Sequence, residues 1–305
     1  LTRKKKIRVP FFSVYCFQME KLLLYLRIIA ASVWVLTITP LLWLLIPTRL
    51  AHSVLIKYFG VTPNQLPCDV GQIWFARGLL AILGVRVEVE GSHNIVLNKP
   101  TVLAMNHSSN IEAVAASAFC PLVPKYIFKV ELLWQLPPLF VLAWGLGHVP
   151  ISRGNRKRAY KQLENAKRAL LRGRSIAIFP EGTRSSDGKL QSFKRGAFLL
   201  SESANCTITP AYFTGSFDLW PPHQALPNSG VLKLTFLKPL QFEKEENWEI
   251  RQQRTYQVIE QALTKQSKNT SYHGKITKNN YAFALTFLIF SIPLVYFVYG
   301  NFLIF

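Results

Sequence analysis

The chain has 305 residues, half of them hydrophobic, including 21 Phe and 7 Trp, and its formal net charge is +20. That length suits one large domain or two small ones. Its cysteines, Cys16, Cys68, Cys120 and Cys206, lie far apart with no CxxC, which indicates neither a zinc nor a thioredoxin-like site and fits reduced thiols facing a cytosol.

Apolar and basic character together point to an anionic membrane surface, since apolar segments insert and Lys or Arg attract acidic head groups. Nucleic acid ranks below this as a partner, because no zinc spacing or RNP-type aromatic box accompanies the charge.

Residues 1–19 form a basic tail, with the run Arg3-Lys4-Lys5-Lys6-Ile7-Arg8, and Met19 resembles a natural start. The segment 20–59 reads as membrane-embedded: Leu22 to Ile46 is apolar apart from Arg27. Basic residues flank it on both sides, so both flanks favour the cytoplasm. A hairpin or interfacial helix pair bending near Pro40 satisfies that better than a single crossing.

Residues 60–72, with Gly60, Pro63, Pro67 and Gly71, read as a linker opening a catalytic domain over 60–272. A helix is expected from Ile73 to Leu83, then a half-exposed strand in the alternating run Val85–Glu90. Thr101–Met105 is a buried strand, Ile111–Phe119 a helix and Tyr126–Phe128 a strand closing on Lys129. Leu132–Leu146 is either a buried helix and turn or a surface that dips into lipid or lines an acyl-chain groove. A short strand is expected in His148–Arg153. Asn155–Arg172 has one apolar stripe and a strongly basic opposite face, a helix stopping near Gly173. Ser175–Phe179, Thr207–Phe213 and Val231–Leu237 read as strands, and Phe193–Ser203 and Asn247–Gln266 as helices. This alternation predicts an α/β fold, a mixed sheet flanked by helices. The uncharged run Tyr281–Phe305 reads as a C-terminal transmembrane helix over 280–305, entered from the cytoplasmic face behind Lys275 and Lys278.

Two clusters carry chemistry. In Asn106-His107-Ser108-Ser109-Asn110-Ile111-Glu112 an acid follows a histidine by five positions at a strand end. A carboxylate there fixes the imidazole tautomer and leaves the far nitrogen free to take a proton. The serines and Asn110 are helix-capping types, and a helix start offers N–H groups to an anion. No nucleophile elbow is present, so direct transfer to a bound hydroxyl fits better than a covalent acyl-enzyme. The second cluster, Phe179-Pro180-Glu181-Gly182-Thr183-Arg184, ends a strand in a turn where Gly182 allows close approach and Arg184 suits a phosphate. Glu181 there either holds Arg184 or binds a substrate hydroxyl. His52, His93, His148, His223 and His273 lack such settings and read as packing or surface residues.

These clusters strongly resemble the glycerolipid acyltransferase family, most closely its 1-acyl-glycerol-3-phosphate acyltransferases. Four family blocks have counterparts in order: Asn106–Glu112; Lys129–Leu132 through Gly147–Arg153; Phe179–Arg184; and Ile208–Tyr212. The resemblance implies His107 as general base and Glu112 as its orienting carboxylate. It implies an acceptor held by Glu181, Gly182, Thr183 and Arg184, with Arg153 and Lys129 aiding the phosphate. It further implies a lysophosphatidic acid acceptor, an acyl-CoA or acyl-carrier-protein donor, and neither metal nor prosthetic group. Glycerol 3-phosphate, another lysophospholipid or a lyso-aminolipid is the alternative acceptor, and a non-catalytic anionic-lipid binder the alternative class. The family usually has Asp where this chain has Glu112, so the longer side chain must retract or the helix shift.

Overall fold

The computed structural model describes residues 11–51, 66–97, 99–135, 143–152, 154, 156–224, 227–243 and 245–269. The C-terminal apolar run and Arg153 lie outside them.

Helix α1, Phe11–Trp43, begins inside the stretch expected to be a tail and runs unbroken past Pro40. Pro40 sits in its last turn, where the missing donor disturbs little that follows. A five-residue helix α2, Ile46–Leu50, comes next. The bend thus falls at residues 44–45, and any returning leg lies outside the described residues. One stripe of α1 is buried through Ala31, Trp34 and Leu42, while Leu22, Leu26, Ile29, Val33 and Leu36 are exposed. The span Leu22–Trp43 is long and apolar enough to cross a membrane.

Helix α3, Pro67–Leu83, starts six residues earlier than expected. Its two supposed linker residues have helical uses. Pro67 occupies the first turn, where no N–H is required. Gly71 lets α1 approach: an added Cβ would stand 2.7 Å from Leu42 Cδ2 and 2.8 Å from Leu45 Cδ1. Trp34 Nε1 donates to the Phe75 carbonyl at 3.1 Å across the same contact.

The remaining elements are β1 (Val85–Glu90), β2 (Thr101–Met105), α4 (Ile111–Phe119), β3 (Lys125–Lys129), α5 (Leu132–Gln135), β4 (Val149–Ile151), α6 (Arg156–Leu171), β5 (Ile176–Ile178), α7 (Gly196–Ala204), β6 (Thr207–Thr214), α8 (Ser216–Leu219), β7 (Gly230–Phe236) and α9 (Trp248–Asn269). The seven strands form one mixed sheet in the order β1-β7-β6-β2-β5-β3-β4. Strands β2 to β6 run parallel, and β7 pairs antiparallel with β6 and parallel with β1. The mixed sheet flanked by helices is therefore as expected.

Alternate residues of the buried strands feed two cores. Leu103, Met105, Ala177, Ala211 and Phe213 face α1, α3 and α4 on one side. Val102, Ala104, Ile176, Ile178 and Tyr212 face α6, α7 and α9 on the other.

At the N-terminal end of the parallel strands lies a buried ion triad. Asp69 of α3 receives Lys125 Nζ on Oδ1 and Arg174 on Oδ2, each at 2.6 Å. Burial pulls the Lys125 ammonium below its ordinary range, and the Asp69 carboxylate opposes that pull. Asp69→Asn leaves two buried cations without their counter-ion and is expected to cost about 3–5 kcal/mol of stability. A urea melt in detergent checks this; a midpoint equal to the wild type would show that the triad contributes nothing.

Candidate active site

Three parallel strands, β2, β5 and β6, open at the same edge, the usual crevice for ligands in such sheets. β2 delivers His107, β5 delivers the turn at residues 180–184, and β6 leads to Ser216.

Asn106 fixes the first of these. Its side chain donates to the Phe213 carbonyl at 3.2 Å and accepts from the Phe213 amide at 2.7 Å, extending the β2–β6 pairing by one residue. The chain then turns, and α4 begins. Glu112 stands in the first turn of α4, where the helix dipole favours a carboxylate. It reaches back over the helix start to His107, with Oε2 at 2.7 Å from Nδ1. Oε1 accepts from the Ser108 and Ser216 hydroxyls at 2.9 and 2.6 Å, and the Ser108 amide lies 3.0 Å away. This fully buried carboxylate is thus fully bonded. The Glu112 carboxylate is thus held between His107 and two serines. Neither Asn110 nor Ser108 caps α4 as their residue types suggest; Ser109 Oγ accepts from the Ile111 amide at 3.3 Å.

An ionised carboxylate only accepts, so the Nδ1 of His107 is the donor in this bond, and in the neutral ring Nε2 then presents a lone pair. The imidazole stacks on Phe179, centroid to centroid 4.1 Å and 20° apart. The ring is therefore held in plane and orientation, with 19% of the side chain exposed on the open edge.

The turn from β5 is tied to His107 at two points. Glu181 Oε1 accepts the His107 amide at 2.7 Å, and the Ser185 amide donates to the His107 carbonyl at 2.7 Å. Glu181 Oε2 accepts the Gln191 amide at 3.1 Å. Glu181 is buried and bonds to backbone, not to Arg184. Gly182 is left-handed at φ 77°. Thr183 is exposed and Arg184 half-exposed, and among the described residues Arg184 forms no ion pair. Lys129 is exposed at the same end of the sheet, two strand positions from β2, about 10 Å by ordinary strand spacing.

Burial pushes the Glu181 carboxyl up to about 7, against the His107 and Gln191 amides, which favour its charged form, and with the Glu112 charge adding to the rise. The folded chain therefore holds this proton more tightly than the unfolded chain. The stability it supplies is complete below about pH 4.5 and is lost as pH rises through about 7. The thermal midpoint should fall across that window, and Glu181→Gln should flatten the slope. Equal slopes in both proteins would contradict the assignment.

Pattern reading missed Ser216, Ser185, Gln191 and the stacking role of Phe179. Gly215 at φ 81° before Ser216 marks a turn at the end of β6, but no local signal ties it to Glu112, 104 residues earlier.

Residues 86–214 match the family model described as Acyltransferase. Over these residues the chain is similar to that family. It is 32% identical over 142 residues to the 1-acyl-sn-glycerol-3-phosphate acyltransferase of Limnanthes alba, covering 46% of this chain and 49% of that one. It is 30% identical over 160 residues to the human 1-acyl-sn-glycerol-3-phosphate acyltransferase alpha, covering 52% of this chain and 56% of the relative. The chain thus spans about half the length of the curated relatives it matches. The crystal structure of the 1-acyl-sn-glycerophosphate (LPA) acyltransferase PlsC from Thermotoga maritima superposes with a TM-score of 0.59 at 23% identity, covering 81% of this chain and all of that one. That likeness concerns the fold. The acyltransferase match encloses both clusters and the whole of β2, β5 and β6.

Proposed function

We propose that this chain is a membrane-bound O-acyltransferase that moves a fatty acyl group from an acyl thioester to the sn-2 hydroxyl of 1-acyl-glycerol-3-phosphate, giving phosphatidic acid. One observation carries the reading: Nδ1 of His107 is bonded to a buried carboxylate, while the His107 amide is bonded to Glu181 of the turn that holds Arg184.

His107 Nε2 takes the proton from the acceptor hydroxyl as its oxygen attacks the thioester carbonyl carbon. A C–O bond forms, the carbonyl π pair moves to oxygen, and the tetrahedral adduct collapses with cleavage of C–S. The departing thiolate takes the proton back from the imidazolium. Glu112 keeps the ring in the productive tautomer and stabilises the imidazolium. Arg184 binds the acceptor phosphate through its planar fork, with Thr183 as a further donor, Lys129 as a more distant cation and Arg153 as the other cation assigned to the phosphate. The reaction needs no prosthetic group or metal; acyl-CoA or acyl-carrier protein enters as co-substrate.

The exposed apolar stripe of α1 supports membrane attachment. The cations of α6, among them Lys157, Arg158, Lys161 and Arg168, with Arg172 just beyond its end, suit anionic head groups. On this reading the catalytic domain works at the cytoplasmic face, where a lysolipid enters from the bilayer.

An acceptor panel with labelled acyl-CoA in detergent tests the assignment. Lysophosphatidic acid should be acylated in preference to glycerol 3-phosphate and to other lysolipids. Preference for one of the others would reassign the acceptor, and no transfer to any would end the enzymatic reading.

A further inference from the structure

Lys194 lies ten residues beyond the Arg184 turn, outside both clusters that the sequence singles out. Its backbone amide donates to the Pro180 carbonyl at 2.7 Å, which pins it to the base of the turn. Its side chain then runs back across Gly182. A Cβ added at Gly182 would stand 2.9 Å from Lys194 Cδ and 3.0 Å from both Cε and Nζ. Gly182 therefore does two things: it supplies the left-handed backbone, and it leaves open the channel in which the lysine stem lies. The ammonium ends directly over the turn, one residue from the glutamate that holds the His107 amide.

Lys194 is exposed and forms no ion pair among the described residues. The nearest acid in sequence to the turn, Glu181, is turned inward onto two backbone amides. Arg184 on the turn and Lys194 lying across it are therefore two cations that form no ion pair among the described residues. An anionic ligand that meets both cations gains Coulomb energy from each. A phosphate monoester carries a charge of roughly −2 near neutral pH, and a phosphodiester only −1.

We infer that Lys194 is a specificity-determining residue that, with Arg184, recognises the second negative charge of a phosphate monoester and so rejects acceptors whose phosphate is already esterified to a head group. This inference rests on the acyltransferase reading and narrows it to monoester acceptors. Lysine supplies a point charge where arginine supplies a planar fork, so the pair grips a terminal phosphate from two directions.

The test uses Lys194→Met, which keeps an unbranched stem over Gly182 and removes the charge, beside Lys194→Arg, which keeps it. Binding of glycerol 3-phosphate, a monoester, and of glycerophosphocholine, a diester, is titrated without acyl donor. Turnover of lysophosphatidic acid is then followed with acyl-CoA. Lys194→Met should weaken glycerol 3-phosphate binding about tenfold to a hundredfold, the loss typical of one charge-assisted hydrogen bond. It should raise KM for lysophosphatidic acid to a similar degree with kcat nearly unchanged, leave the diester unaffected, and be rescued by Lys194→Arg. Unchanged monoester binding, or an equal loss for monoester and diester, overturns the inference. A fall in kcat with KM unchanged overturns it too, because it would mark a structural role. If the wild type transfers no acyl group yet binds the monoester in a Lys194-dependent way, the assigned reaction falls and the phosphate site stands.

Discussion

Replacing His107 with alanine is expected to reduce acyl transfer by about a thousandfold, within the 10²–10⁴ that a positioned general base supplies. The expectation follows from how little else can remove the hydroxyl proton. Ser108 and Ser216 are committed as donors to Glu112, and Glu112 is buried. Glu181 spends both oxygens on amides. Within this cluster, Nε2 of His107 is the one acceptor on the open edge not committed to another group. Substrate binding should survive, because Arg184 and Gly182 belong to a separate turn. The measurement is thiol release with acyl-CoA and lysophosphatidic acid, reading kcat and KM separately. A loss confined to KM would move His107 from chemistry to binding.

The second large effect is expected at Glu112. In Glu112→Gln the amide NH2 can replace a carboxylate oxygen either toward His107 or toward the serines. Facing His107 it donates to Nδ1 and drives the proton to Nε2, the wrong tautomer for a base; facing the serines it meets two hydroxyl donors. Loss of this kind from a wrong tautomer reaches about 10⁴-fold in serine proteases, so a decrease of about 10²–10⁴-fold in kcat is expected. Glu112→Asp keeps the charge and shortens the reach, and it should retain measurable turnover, within about 10²-fold of the wild type, the cost of about 1 Å of misplacement. Stopped assays over a range of acceptor concentrations distinguish the two variants. Near-normal kcat in Glu112→Gln would remove the carboxylate from the mechanism.

Much of this arrangement was legible in the chain. Thr101–Met105 and Ser175–Phe179 are short apolar runs ended by polar turns, and both became parallel strands because the sheet is covered on both faces. The five-residue step from His107 to Glu112 predicted their contact, since it spans one strand end and one helical turn. Two failures have physical causes. Pro67 and Gly71 look like linker residues because turn chemistry and helix starts use the same types; only the contact with Leu42 and Leu45 shows why a glycine is needed there. The partners of Glu112 and Glu181 were invisible for a different reason. Ser216 is 104 residues from Glu112, and the His107 amide is 74 from Glu181, so only the pairing of β6 and β5 with β2 brings them together. Lys194 was hidden likewise, because nothing in its own neighbourhood marks a lysine that doubles back over a glycine.

The protonation pattern of His107 tests the account most directly. In protein labelled with ¹⁵N-histidine in detergent, comparison with Glu112→Gln assigns the ring of residue 107. The account predicts a proton on Nδ1, bonded to Glu112, and an unprotonated Nε2 at the pH of maximal turnover. An Nε2-protonated ring in the wild type at that pH would contradict it.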